Sequence, residues 1–367
     1  VPFFDFTMTG MEGVEEWSLS VAREAMPVLD APLYFCAIFK RANGTGGVLL
    51  KVHHLISDAW SQGLILNRLA EMYLSLLTGK EPDLSPFPPY EAHIQAENAY
   101  LASPEKARDE AFWRRALRDL PGASAKGHEY ATVSPVGRRA SFPLPERLNR
   151  LIMAFCEQHK VSPFAVFYMA LSIYLRRVRG QERFCVGVPV INRRTFQEKR
   201  TPGMFVTTLP FVNSLDESVT FAEFNEALKA DWYELLRHQS LPFSDIRAIA
   251  QANGCPFKLF DIALSFQNGV LMADSESRVS FEGRWQYSGY QAESLCVHIS
   301  SRSGDGSFLM DYDYLTQLFS ASEIDVLHAY LVNILTDALL SPDKPIGKIR
   351  ILSEAEEEKV LYAFNAT

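Results

Sequence analysis

His53 and His54 stand side by side at the end of an apolar run, in a chain with only 8 histidines, and Asp58 follows four residues after the second. A neutral imidazole accepts a proton near neutral pH. A carboxylate at this spacing can orient a histidine or lock the turn by pairing with an arginine. Successive side chains of a strand point to opposite faces, so the two histidines should do different jobs. One is expected to face inward as a structural group, and the other to face the space beyond the strand end. Two readings compete with proton transfer. A core histidine beside a helix-capping aspartate would need no chemistry. A metal site would want a third ligand and a spacing such as His-x-x-x-His, and none is nearby. There is no Gly-x-Ser-x-Gly nucleophile elbow and no His-Glu-x-x-His.

The flanking sequence says what holds these residues. Residues 33–40 and 47–52 read as two strands around a glycine-rich turn at 43–47. After Asp58 the apolar period changes: Ile65, Leu69, Met72, Tyr73 and Leu76 recur at helical spacing, and Gly79 is a plausible stop. The histidines therefore lie at a strand-to-helix junction, with Asp58 near the helix start, where a carboxylate suits the dipole. Ser103-Pro104 should open a helix to about Leu117, with Ser as cap and Pro in first position. Further helices are expected over 146–160 and from Ser162-Pro163 to near Gly180. Capping boxes at Thr220/Glu223 and Ser320/Glu323 should start two more. Strands are expected at 139–144, 184–190, 204–212, 260–267, 295–300 and 308–314. Residues 121–127 form the best linker, within a boundary region from Leu120 to Gly137. The expected fold class is α/β with mixed sheets in two lobes: 1–125, carrying the histidine motif, and 126–367, with segments bridging back to the first. The polar loop Asp274 to Arg278 is one candidate bridge.

Composition narrows the function. At 367 residues the chain is too long for one typical core, and 47% apolar content supplies two. A net charge of -8, with no dense Lys/Arg cluster, argues against nucleic acid as a partner. Cys36, Cys156, Cys185, Cys255 and Cys296 include no Cys-x-x-Cys pair, and their odd number leaves one over in any disulfide scheme. Free thiols in a reducing compartment are expected. No signal peptide is visible, and the longest apolar stretch, 164–175, is too short to span a bilayer. A cytoplasmic protein without membrane contact follows as the expectation. The start at Val1 and the end at Thr367, with no closing signal, read as a piece of a longer polypeptide.

The segment HHLISDAWS resembles the His-His-x-x-x-Asp-Gly motif of the condensation domains of nonribosomal peptide synthetases, in the chloramphenicol-acetyltransferase-like superfamily. Residues 203–210, GMFVTTLP, look like the family's Gly-x-Phe-Val-Asn-Thr segment, with Thr207 for Asn. Residues 238–243, HQSLPF, look like His-Gln-Asp-x-Pro-Phe, with Ser240 for Asp. Residues 264–268, LSFQN, match a strand ending in Gln-Asn, and the closing Phe-Asn-Ala-Thr resembles the seam before an adenylation domain. Order and spacing agree from about residue 30 to the end. The resemblance implies a V-shaped pseudo-dimer of two chloramphenicol-acetyltransferase-like lobes with a tunnel between them. The first lobe would be incomplete: the family carries a longer stretch ahead of the motif, with a first strand, a first helix and an arginine that pairs with the motif's aspartate. None of these is recognisable here, so Asp58 is expected to lack its partner.

The resemblance also implies the reaction. An acceptor aminoacyl thioester attacks a donor acyl or peptidyl thioester, and an amide forms. Both substrates ride on phosphopantetheine arms of carrier proteins, upstream donor and downstream acceptor, and no cofactor is bound directly. An adenylation domain would adjoin after Thr367. His54 is the candidate to accept the amine proton or to hold the amine; His53 and Asp58 would support it. Ala59 replaces the motif's Gly and keeps an N–H able to steady developing negative charge, with strain only if φ is positive. Trp60, Ser61, Gly203, Phe205, Gln267 and Asn268 are the substrate-binding candidates. Of these, Trp60 is expected to pack in the core, and Gly203 and Phe205 to set shape. His238, His298 and His328 read as structural. Epimerisation domains carry Glu-Gly-His-Gly-Arg, where this chain has a lone Glu293, and the Asp-x-x-x-x-Asp of heterocyclisation domains is absent. The remaining alternative is an inactive platform that recruits partners to a carrier protein; such relatives tend to lose the histidine motif.

Overall fold

The fold is described from a computed structural model, covering residues 1–118, 120, 133–255, 258–267, 279–301 and 306–358. The chain divides into two compact units. The first comprises residues 1–98, 191–206 and 269–290, and the second residues 99–190, 207–268 and 291–367.

In the first unit, three strands form a sheet in the order β1 (Phe3–Phe6), β2 (Tyr34–Arg41), β3 (Gly46–Val52). β1 runs parallel to β2, and β2 and β3 are the expected antiparallel hairpin, in register from Tyr34↔Val52 to Lys40↔Gly46. The connection needs a left-handed residue, which Gly44 supplies at φ +71. Helix α1 (Gly10–Arg23) lays Trp17 against Phe4, Phe6 and Phe39, with ring centroids 4.6–5.9 Å apart. A strand and a helix thus do precede the hairpin. β1 is too short for a periodicity signal, and α1 is mostly polar. Helix α2 (Ala59–Leu77) follows the histidine motif, and α3 (Glu91–Leu101) runs out of this unit.

In the second unit, six strands lie in the order β4-β9-β8-β7-β5-β6. They are β4 (Gly137–Pro143), β5 (Arg183–Val190), β6 (Thr207–Ser214), β7 (Ile262–Gln267), β8 (Leu295–Ser300) and β9 (Leu309–Leu315). The sheet is mixed: β7 is parallel to β5 and β8, and the other pairs are antiparallel. Helices α4 (Pro104–Ala116), α5 (Glu146–His159), α6 (Pro163–Arg177), α7 (Phe221–Arg237), α8 (Phe243–Ala252) and α9 (Ala321–Leu340) complete it. Phe167, Leu171, Leu331 and Leu335, from α6 and α9, meet Leu264, Val297 and Met310 from the sheet, all fully buried. By strand alternation, Ser265, His298, Asp311 and Asp313 project from the opposite face.

Both capping boxes form: Thr220 and Ser320 accept from the N–H of Glu223 and Glu323, whose carboxylates reach back. Ser103 differs from expectation. Its hydroxyl donates to the Tyr100 carbonyl, and Pro104 alone marks that helix start. Strand β6 begins at Thr207 rather than 204, because the N–H groups of Phe205 and Val206 bond to Asp58. The expected division at 125/126 is also not where the compact units part. The seam falls between Asn98 and Ala99, inside α3, and residues 191–206 and 279–290 return to the first unit. A helix crossing from one unit to the next leaves no Gly/Pro signal. The expected linker 121–127 and the loop 274–278 lie outside the described residues.

Candidate active site

β3 ends at Val52, so both histidines lie beyond the strand, in the turn leading to α2. The backbone N–H of His53 still extends the sheet, donating to Leu33 at 2.8 Å, and the N–H of Ile56 closes the turn on the His53 carbonyl at 3.1 Å. His53 is half-buried, and its Nδ1 accepts from the Leu55 N–H at 3.1 Å. That bond uses Nδ1 as an acceptor and ties the ring to the turn. His54 is exposed at the tip, beside exposed Leu55 and Ile56. The two histidines therefore differ in burial, through a turn rather than through the strand alternation expected.

Asp58 holds this turn. It is the N-cap of α2, in extended backbone, and its Oδ1 accepts from the Ser61 N–H and hydroxyl, each at 2.8 Å. Its other partner corrects the sequence reading. Arg193 donates two hydrogen bonds to the carboxylate, Nη1 to Oδ2 at 2.6 Å and Nη2 to Oδ1 at 3.1 Å, and both side chains are fully buried. The expected missing arginine is supplied from 135 residues downstream. The N–H groups of Phe205 and Val206 complete the shell, at 3.0 and 3.2 Å from Oδ2. Burial pushes the Asp58 pKa up, but the Arg193 guanidinium and the N–H groups of Ser61 and Phe205 outweigh it, and the carboxyl lies below its usual range.

The rest of the cluster packs around this pair. The Phe205 ring lies 4.1 Å below the Arg193 guanidinium, within cation–π reach. Tyr90 and His93 flank it, with centroids 5.2 and 4.2 Å away. Ser61 is fully buried, and its hydroxyl lies 2.7–2.9 Å from Arg193 Nη2 and from the N–H and carbonyl of Gly203. Gly203 is required by close approach: a Cβ would sit 2.1 Å from the Tyr90 ring. Ala59 is the first residue of α2 and is not among the residues with positive φ, so replacing Gly causes no strain there. Its N–H belongs to the first turn, where no intrahelical acceptor exists. Trp60 is not in the core as expected. It is 40% exposed, tethered by its indole N–H to the Lys199 carbonyl at 2.9 Å.

Of the expected substrate-binding residues, Ser61, Gly203 and Phe205 thus join Asp58 in one buried network, and Trp60 stays accessible. Gln267 ends β7 in the second unit, and Asn268 lies outside the described residues. Arg193 and Tyr90 were missed. The only hint of Arg193 is the Asn-Arg-Arg string straight after an apolar strand, where Asn192 takes φ 45. Among the described residues no cluster of His, Cys, Asp or Glu could hold a metal, and no helix is long and apolar enough to cross a membrane.

Comparison with known proteins gives one family. A family model for the condensation domain matches residues 4–361. Surfactin synthase subunit 1 of Bacillus subtilis (strain 168) is 31% identical over 96% of this chain, and bacitracin synthase 3 of Bacillus licheniformis is 25% identical over 92%. The chain spans only 10% and 5% of those two proteins. Among solved structures, the first condensation domain of the calcium-dependent antibiotic synthetase, in complex with a substrate analogue, has a TM-score of 0.80 at 21% identity, covering 96% of this chain and 78% of that one. A four-domain nonribosomal peptide synthetase, holo-AB3403, gives 0.78 at 15% identity, covering 97% of this chain and 28% of that one. At such identities the structures speak for the fold, which is the mixed α/β fold of these domains, while the sequence match extends through the histidine turn and the Arg193 segment alike. On that match, this chain belongs to the condensation-domain family.

Proposed function

We propose that this chain forms an amide bond between a donor acyl or peptidyl thioester and an acceptor aminoacyl thioester, each delivered on the phosphopantetheine arm of a carrier protein. Condensation domains of nonribosomal peptide synthetases are peptide-bond-forming acyltransferases, and the chain carries their histidine motif in an ordered turn. The observation that carries the reading is the exposed His54 on a turn locked by the buried Asp58–Arg193 pair. A thioester is already activated, so no covalent enzyme intermediate is required. The attacking α-amine, with a pKa of about 7.7–8.0, must lose its proton before or during attack. His54 accepts that proton or holds the amine by a hydrogen bond. His53 supports the turn from behind, Asp58 fixes it to α2, and the Ala59 N–H steadies charge developing on the carbonyl oxygen. Exposed Leu55, Ile56 and Trp60 offer apolar contact to an acyl chain. Gln267 and Asn268 remain candidate donors to the substrates. The partners are an upstream donor carrier, a downstream acceptor carrier and an adenylation domain following Thr367, with no cofactor bound by the chain itself.

The test uses the full-length polypeptide with both carriers loaded, and follows amide formation by intact mass spectrometry. Wild type should make product, and His54→Ala should lose about 10²–10⁴-fold in rate, the usual contribution of a positioned base. Carrier binding without product in the wild type would instead mean a recruiting platform. Full rate in His54→Ala would remove His54 from the chemistry.

A further inference from the structure

The face of the six-stranded sheet opposite α6 and α9 carries a second arrangement with catalytic geometry, wholly within the second unit. Four neighbouring strands each contribute one side chain. From β4, Arg139 makes a two-point ion pair to Asp313 on β9, Nε to Oδ1 at 2.6 Å and Nη2 to Oδ2 at 2.7 Å. Asp313 Oδ2 lies 3.2 Å from Nε2 of His298 on β8. The other ring nitrogen of His298, Nδ1, lies 2.6 Å from the hydroxyl of Ser265 on β7. Ser265 and His298 are register partners in the parallel ladder, so their side chains must meet on one face. Asp313 stands diagonally across the antiparallel ladder from His298, within reach of a long side chain.

A nucleophile within hydrogen-bond reach of a base, with the base oriented by a third group, is the signature of an activated hydroxyl. Each part is in a workable state. Asp313 is nearly buried, and burial pushes its pKa up, but the bonds from Arg139 and His298 more than reverse this and keep it ionised. An ionised Asp313 3.2 Å from Nε2 favours the tautomer with its proton on that nitrogen, which turns Nδ1 to the Ser265 hydroxyl as an acceptor. Ser265 is half-buried and the His298 side chain is 22% exposed, so neither is sealed in the core.

We propose that Ser265, His298 and Asp313 form a nucleophilic triad that cleaves acyl thioesters. In the first step the Ser265 Oγ–acyl bond forms and the C–S bond breaks. The hydroxyl proton passes to His298 Nδ1 and on to the leaving thiolate, giving a free thiol. In the second step water attacks the acyl-serine, His298 takes the water's proton, and the C–Oγ bond breaks. Ser265 regains its proton and a carboxylic acid leaves. Asp313 stays ionised throughout, holding the imidazole tautomer, and Arg139 is a positioning residue for Asp313. The outcome is release of acyl groups as free acids, a reaction separate from amide formation and independent of His54.

The full-length polypeptide is treated with a fluorophosphonate probe, which marks activated serines by forming an Oγ–phosphorus bond with loss of fluoride, and the modified residue is mapped by peptide mass spectrometry. In parallel, thiol release from the N-acetylcysteamine thioester of a short fatty acid is followed by colour. Ser265 should be labelled, and the label should vanish in His298→Ala. Thiol release in Ser265→Ala should fall by about 10²-fold or more. His54→Ala should keep both label and release, so failure of the amide-forming reading would not touch this result. Ser265→Ala is also checked for an unchanged thermal midpoint, and Ser265→Cys should restore part of the thiol release. The absence of label at Ser265, or thiol release unchanged in Ser265→Ala, overturns the proposal.

Discussion

The buried ion pair between Asp58 and Arg193 should be the feature of the first unit least tolerant of change. Asp58→Asn is nearly isosteric, yet it leaves the Arg193 charge with no counter-charge in a site where both side chains are fully buried. It also turns an amide NH₂ or a single carbonyl toward the N–H groups of Ser61, Phe205 and Val206, which now share two carboxylate oxygens. Removing one partner of such a pair costs about 3–5 kcal/mol. At about 2–4 °C per kcal/mol, the midpoint of the first unit should fall by roughly 6–20 °C. Thermal unfolding followed by tryptophan fluorescence is the assay, since Trp60 stands on the helix that Asp58 caps, and urea unfolding is the second measure. The midpoint should move with the slope unchanged.

Arg193→Met should cost a similar amount, and the pair Asp58→Asn/Arg193→Met should cost much less than the sum, because the uncompensated charge is gone. The pH dependence carries a sign. The folded pKa of Asp58 is depressed, so its contribution is fully present above the unfolded value of about 3.9 and is lost as pH falls through the lower folded value. The gap between wild type and Asp58→Asn should therefore be flat from pH 7 to pH 5 and close only below about pH 4. In Arg193→Met the largest opponent of burial is gone and only the bonds from Ser61 and Phe205 remain, so the Asp58 pKa rises relative to wild type and the penalty should shrink as pH falls through that raised value. An Asp58→Asn protein within about 1 kcal/mol of wild type, or a double variant equal to the sum of the singles, would refute this account.

Gly203→Ala should cost about 1–3 kcal/mol by overpacking, since its Cβ would meet the Tyr90 ring and displace the Tyr90 hydroxyl from the Met204 carbonyl, 2.5 Å away. Thermal denaturation should show the loss, and a Tyr90→Ala background should relieve most of it. His328 is pressed between Phe142 and Tyr312, and burial pushes its pKa down to about 4. The unfolded chain, with a histidine near 6.5, takes up a proton between those values that the folded chain does not. Stability should fall as pH drops through that window, and His328→Phe should flatten the slope in denaturation curves at pH 7 and 5.

Local chemistry was legible in the sequence wherever neighbours along the chain decide the outcome. The hairpin of β2 and β3, the caps at Ser162, Thr220 and Ser320, and the start of α2 at Asp58 all rest on contacts within a few residues. The different burial of His53 and His54 was expected from strand alternation, but it comes from the turn after β3. The seam between the compact units was not legible, because it falls inside a continuous helix with no change of composition. His298 read as filler, because its partners Ser265 and Asp313 come from other strands and meet it only through the sheet register.

What the sequence by itself determined is the strand–turn–helix that presents His54, along with most elements of the second sheet, since period, caps and turn residues act over short distances. What only the tertiary structure decided is which charge answers Asp58. Arg193 lies 135 residues away, and no local pattern distinguishes it from its neighbour Arg194. A buried carboxylate must be paired, but which cation reaches it is set by where the chain returns, and that is a property of the packed fold.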